Sequence, residues 1–182
     1  MKFLAAGYFA ILLALSDASA LASPEPRSVV DHFIAWYLDS GAGSFPGRKE
    51  RAALRPLLTP SFGRVLEAAA RGLECHYKAT EGKEPPPLEG DLFVSLFEGA
   101  TYSDGVKEIE RTPERASYAI GWVSSPGRVG EKPVRWQDHV LLKRVKGRWL
   151  IDDFSHEGTW QFMTRGSVRS TLEEVAAECA KK

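Results

Sequence analysis

A chain of 182 residues, 43% of them apolar, buries a real core and needs neither a metal nor a disulfide in order to fold. Its 24 basic and 24 acidic side chains balance. They offer no sign of the basic face by which proteins read nucleic acid, so no nucleic-acid partner is expected.

The first twenty residues have the layout of an export signal. Met1 and Lys2 give a short positive start, Phe3 to Leu15 are mostly apolar, and Ala18-Ser19-Ala20 forms an A-x-A cleavage site. The apolar run is shorter than the roughly 20 residues that span a bilayer. Residues 1–20 are therefore expected to be removed as a signal peptide near Ala20. That leaves residues 21–182 as a single globular domain, periplasmic or secreted, with no membrane span. In an oxidising compartment Cys75 and Cys179 are expected to pair. Cys179 lies on the apolar stripe of the last helix. Cys75 points away from its own helix stripe, so the bond would clip the C-terminal helix against the N-terminal layer.

Residues 21–27 are a polar lead-in with two prolines. A first helix then starts from Ser28 as N-cap, with Val30, Phe33, Ile34, Tyr37 and Leu38 at helical spacing. Residues 48–58 predict a short second helix broken near Pro56. Thr59-Pro60 opens a third, with threonine as cap and proline in the first turn. The proline-rich stretch 81–90 is a loop. Beyond residue 100 the period changes to two. Strands are predicted over 106–111, 115–124, 134–145 and 148–154, the last two joined by a tight turn at Lys146-Gly147. Ser170-Thr171-Leu172-Glu173 has the form of a capping box and opens a C-terminal helix.

Helices followed by antiparallel strands imply an α+β layer fold. N-terminal helices would pack on a curved antiparallel sheet of about four strands, with a C-terminal helix added. That order resembles the nuclear-transport-factor-2-like cone. EGDLFVSLFEG (89–99), with its G-D-x-F segment, and GRWLIDDFSHEG (147–158), with its W-x-I-D-D motif, resemble the paired signatures of a bacterial family of exported proteins of unknown function. The similarity covers roughly residues 29–180, and Leu92 departs from the family pattern, which carries a proline there. The resemblance implies a cone-type (cystatin-like) fold and brings no reaction with it.

The candidate chemistry lies on the last hairpin. With Lys146-Gly147 as the turn and an unbroken ladder, Leu142 faces Ile151, Val140 faces Asp153 and Asp138 faces Ser155. Asp138 and Asp153 would then be diagonal neighbours on an apolar face. Such a pair would raise at least one pKa, and Asp138→Asn would stabilise the fold at neutral pH. A one-residue bulge would exchange the faces of Asp152 and Asp153. Tyr118, Trp122, Trp136 and Trp149 would line a pocket or belong to the core. On the opposite face His139 and Asp152 would be diagonal, and His156 would lie past the strand in solvent. His32, His76, His139 and His156 are scattered without metal-ligand spacing, so no metal or other cofactor is expected. The glycine-rich stretch 41–48 lacks the strand and lysine of a phosphate loop.

Three functions fit. The first is a non-catalytic domain of the cell envelope, monomer or homodimer, binding a small apolar ligand or an envelope protein. Its ligand-binding candidates are Tyr118, Trp122, Trp136, Asp138, Trp149 and Asp153. The second is an isomerase- or hydrolase-like enzyme using Asp138 and Asp153 as an acid–base pair. The third is a periplasmic immunity protein against a toxin. The residues lean away from an enzyme, because no nucleophile or electrophile-stabilising group accompanies the acids.

Overall fold

The computed structural model describes residues 25–41, 44–125, 130, 132–159 and 166–180. The expected signal segment and its cleavage point lie outside them. The described residues form an α+β fold. Helices α1 (Pro26–Ser40), α2 (Arg48–Leu54) and α3 (Pro60–Thr80) precede strands β1 (Tyr102–Arg111), β2 (Arg115–Ser124), β3 (Val134–Val145) and β4 (Arg148–His156). A two-residue strand β5 (Gly166–Ser167) leads directly into α4 (Val168–Ala176). The sheet is open and antiparallel, in the order β1-β2-β3-β4-β5.

Several element boundaries match their local signals. Thr59 caps α3, its side chain accepting from the Phe62 amide, with Pro60 in the first turn. Pro56 ends α2 in a single 3-10 turn over Arg55–Leu57. The β3–β4 turn places Lys146 (φ 49°) and Gly147 (φ 80°) in the left-handed region, as a two-residue hairpin matched to strand twist requires.

Other boundaries move. Helix α1 begins at Pro26 instead of after Ser28, because a proline's missing N–H is free of cost in the first turn. Strand β1 begins at Tyr102, four residues before the predicted start, and β4 continues to His156. Helix α4 begins three residues early. Its N-cap is Ser167, whose side chain accepts from the Ser170 amide, and not Ser170. Ser167 is fixed there because its hydroxyl also donates to Asp153 (2.5 Å).

The core lies between one face of the sheet and the helices. Ala116, Tyr118, Ile120 and Trp122 of β2 share that face with Trp136, Val140 and Leu142 of β3. Opposite them pack Val30, Phe33 and Tyr37 of α1, Phe62 and Leu66 of α3, and Leu172 and Val175 of α4. Helix α4 reaches α3 closely because Gly72 has no side chain. A Cβ at that position would stand 2.0 Å from the Val175 carbonyl oxygen, a backbone atom that cannot swing aside. Just beyond α4, Cys179 forms a disulfide with Cys75 of α3, across 104 residues of chain. The bond ties the C-terminal segment to the N-terminal layer. In the chain-entropy view a loop of that size is worth up to about 4.7 kcal/mol.

One stretch departs from the usual rule that loops lie on the surface. Residues Asp91, Leu92, Phe93, Val94 and Ser95 have no regular secondary structure, yet each is at most 1% exposed. The Phe93 ring enters an aromatic cluster, 5.6 Å from Phe33, 5.5 Å from Trp36 and 5.3 Å from Phe154, centroid to centroid. Such contacts contribute beyond simple area burial. Burying the ring drags its backbone into the interior, and that backbone needs hydrogen-bond partners.

Candidate functional site

The partners come from two buried acids. Asp91 turns back on its own segment: its Oδ1 accepts from the amides of Phe93 (2.8 Å) and Val94 (3.1 Å). Its Oδ2 accepts from the Tyr37 hydroxyl at 2.6 Å, and that same hydroxyl accepts from the Ala100 amide at 3.0 Å. Asp138 of β3 takes the other end of the segment. Its Oδ2 accepts from the Ser95 amide (2.8 Å) and from Trp136 Nε1 (2.8 Å). Its Oδ1 accepts from the Ser95 hydroxyl and from the Glu157 amide (2.9 Å). Ser95 Oγ in turn accepts from the Gly158 amide at 3.1 Å. One carboxylate thus joins β3, the buried loop and the exit of β4. At 2% exposure its charge is compensated by four donors, as buried charge requires.

Beside Asp138 stands His156. The β3–β4 ladder ends with His139 opposite Ser155, and one step further along brings His156 toward Asp138 on the core face. His156 is 6% exposed, a core residue and not a solvated one. Its ring lies against the backbone of Leu92 and Phe93, but among the described residues neither ring nitrogen makes a hydrogen bond of normal geometry. Burial pushes its pKa down, with the nearby Asp138 charge pulling the other way. Ser95, Asp138 and His156 are three residue types that serve in hydrolases. Here they are in the wrong order: the serine hydroxyl donates to the aspartate and leaves the imidazole unengaged. That is not the arrangement in which an imidazole, oriented by an aspartate, activates a serine.

The register corrects the predicted acid pair. Leu142 faces Ile151 as expected, but a bulge follows, so that Leu141 faces Asp153 and Val140 faces Phe154. Asp153 leaves the face of Asp138, and Phe154 and His156 take its place. The two acids do not share a cavity wall. Asp153 accepts instead from Ser167 Oγ and, through Oδ1, from the amides of Phe154 (2.8 Å) and Arg169 (2.9 Å), which anchors the first turn of α4. Asp152 is the residue inserted at the bulge. Its Oδ1 accepts from Thr59 Oγ1 (2.8 Å), Ser61 Oγ (3.3 Å) and Arg169 Nη2 (3.1 Å), and its Oδ2 pairs with Lys143 at 2.5 Å. Partial burial pushes its pKa up, but Lys143, Thr59 and Arg169 together outweigh this and hold it below the ordinary carboxylate value. The predicted His139–Asp152 pair does not form. His139 Nδ1 lies 3.6 Å from Glu157 Oε1.

The four aromatic candidates, Tyr118, Trp122, Trp136 and Trp149, are at most 7% exposed and belong to the core. Tyr118 donates to Glu108 at 2.7 Å, and Trp149 lies under the Arg144 guanidinium, 6.0 Å from the ring centroid. Trp122 packs against Tyr37 with the rings tilted, their centroids 5.1 Å apart. Among the described residues no group of three or more histidines, cysteines or acids converges in a way that could hold a metal ion, and no helix is long and apolar enough to cross a membrane. Asp91 and Ser95 were not singled out from the sequence, Tyr37 was placed only on the apolar stripe of α1, and His156 was expected in solvent. The available signal was Gly90-Asp91 directly before the apolar run Leu92-Phe93-Val94, where an aspartate can bond to amides two and three residues ahead. Compared with protein-family models, curated proteins and solved structures, the chain matches none of them.

Two outcomes follow from this geometry. Asparagine at 138 keeps one acceptor oxygen and points an NH2 group at N–H donors, so the sign of the expected effect reverses. Asp138→Asn should destabilise the fold by about 1–3 kcal/mol in urea denaturation at pH 7; a more stable variant would show that the carboxylate is a burden and not a tie. Burial pushes Asp91 up from 3.8 to about 6, against the hydrogen bonds from Tyr37, Phe93 and Val94 that lower it. The folded state therefore favours its protonated form. That contribution is full below pH 3.8 and is lost as pH rises through about 6, a span worth at most about 3 kcal/mol. Asp91→Asn removes this slope, so the stability of the variant relative to wild type should climb between pH 4 and 6. Parallel stability–pH curves would contradict it.

Proposed function

We propose that the protein is a non-catalytic binding domain of the bacterial cell envelope, taking a small ligand or a partner protein. The observation that carries this reading is the commitment of the acids. Asp91, Asp138, Asp152 and Asp153 all spend their oxygens on the protein's own backbone amides, hydroxyls and cations. Oxygens already engaged by internal donors must give up those bonds before they can hold a group of an outside molecule. The acid–base reading required Asp138 and Asp153 on one face, and the β4 bulge separates them.

The envelope location is supported by the export-type leader at residues 1–20 and by the Cys75–Cys179 disulfide, a bond that persists in oxidising compartments. The sequence of three helices, an antiparallel sheet and a closing helix is the ground on which we read the fold as nuclear-transport-factor-2-like and the chain as a relative of the exported family that it resembles. The core placement of Tyr118, Trp122, Trp136 and Trp149 moves binding from an interior cone to the surface.

Mass spectrometry of the protein recovered from its native compartment should give an N-terminus at or near Leu21 and no free thiol on the denatured, unreduced chain. A retained Met1 with two reactive thiols would place it in a reducing compartment and defeat the envelope reading.

A further inference from the structure

The corner between the 3-10 turn Arg55–Leu57 and α3 holds a cleft of about 520 Å³, lined in part by Arg55, Thr59, Gly63, Arg64 and Arg71. Several arginines of this charge-balanced chain find acids: Arg27 holds Asp31, Arg111 holds Glu25, Arg135 holds Asp104 and Arg169 holds Asp152. Arg55, Arg64 and Arg71 make no ion pair among the described residues, and all three are exposed. The one acid lining the same cleft, Glu67, is held at 3.1 Å by Arg51 from α2. The nearby Asp152 is itself held by Lys143 and Arg169. The cleft therefore carries a net excess of uncompensated guanidinium charge in a concave setting.

Guanidinium groups present planar forks of N–H donors that match phosphate oxygens in pairs. Arg64 and Arg71 lie two helical turns apart on α3, which separates their Cα atoms by about 10 Å. Arg55 approaches from the 3-10 turn before α3. Three cations spread over that distance suit a ligand with charge at more than one point better than a single compact anion. We propose that this cleft binds a ligand carrying at least two phosphate groups, either as a soluble phosphorylated molecule or as a diphosphate lipid headgroup. The proposal rests on the binding-domain reading for its meaning in the cell. Its test is read on purified protein and does not depend on where the protein resides.

The test uses the purified chain with its disulfide intact and two probes. Inorganic tripolyphosphate is titrated by calorimetry, and vesicles of phosphatidylcholine with cardiolipin are compared by flotation with vesicles of phosphatidylcholine alone. Binding should weaken as salt is raised from about 50 to about 300 mM, as an exposed charge interaction must. In the Arg64→Gln, Arg71→Gln double variant it should fall about tenfold or more, the effect of losing at least one charge-assisted contact. Arg148→Gln, which removes an exposed arginine on β4, should bind like wild type. Should the double variant fail to unfold cooperatively, Arg55→Gln alone is read in its place. Tripolyphosphate binding assigns a soluble ligand, and cardiolipin-dependent flotation without it assigns a headgroup; either outcome upholds the site. Failure of both probes with folded wild-type protein overturns it, as does equal weakening by Arg148→Gln.

Discussion

The fold depends on one buried carboxylate with four donors. Phe93 stabilises the core by entering the aromatic cluster with Phe33, Trp36 and Phe154, but its entry forces the polar backbone of residues 91–95 inside. Unpaired, each such group would cost about 1–3 kcal/mol. Asp138 takes the Ser95 and Glu157 amides, the Ser95 hydroxyl and the Trp136 indole together, while Asp91 takes the amides of Phe93 and Val94. The apolar and the polar halves of the loop are thus conditional on each other. Without the acids the ring could not be buried, and without the ring the acids would have no cause to be.

The bulge in β4 does similar work on the helical side. Inserting Asp152 puts two successive acids on different errands. Asp152 reaches Thr59 and Ser61 at the start of α3, and Asp153 reaches Ser167 and the Arg169 amide at the start of α4. Acids near helix N-termini are favoured by the local dipole and by the unpaired first-turn amides. One irregularity in one strand therefore sets the positions of two helices, and the Cys75–Cys179 bond closes the same two helical segments at their far ends. The adjacent acids of Asp152-Asp153-x-x-His156 are structural anchors for helices, and the histidine ends in the core beside Asp138.

Much of this was legible in the residues. The Thr59-Pro60 start of α3, the limits of β2, the Lys146-Gly147 turn and the cysteine pair all follow from local chemistry that tertiary contacts reinforce. The bulge was legible only as an alternative to the unbroken ladder, although it leaves a trace. Ile151 and Phe154 are three residues apart, an interval that strict alternation cannot place on one face. Burying Phe154 in preference to Asp153 settles the conflict, and the strand shifts phase to allow it. The buried loop left a fainter trace, because an apolar run such as Leu92-Phe93-Val94 signals burial without saying which distant acid will receive its amides. The arginine cleft is assembled from two elements, the 3-10 turn and α3, that period and propensity treat separately. Only the turn of the chain from Arg55 into α3 brings its cations together.

The account is tested most directly by hydrogen exchange at the amides of Ser95 and Glu157. Both lie outside any strand or helix, where exchange is ordinarily fast, and both donate to Asp138. If that carboxylate is the tie on which the core depends, both amides should exchange only through global unfolding, at the rate of the slowest amides in β3. Exchange at the rate of an ordinary surface loop, with β3 still protected, would contradict it.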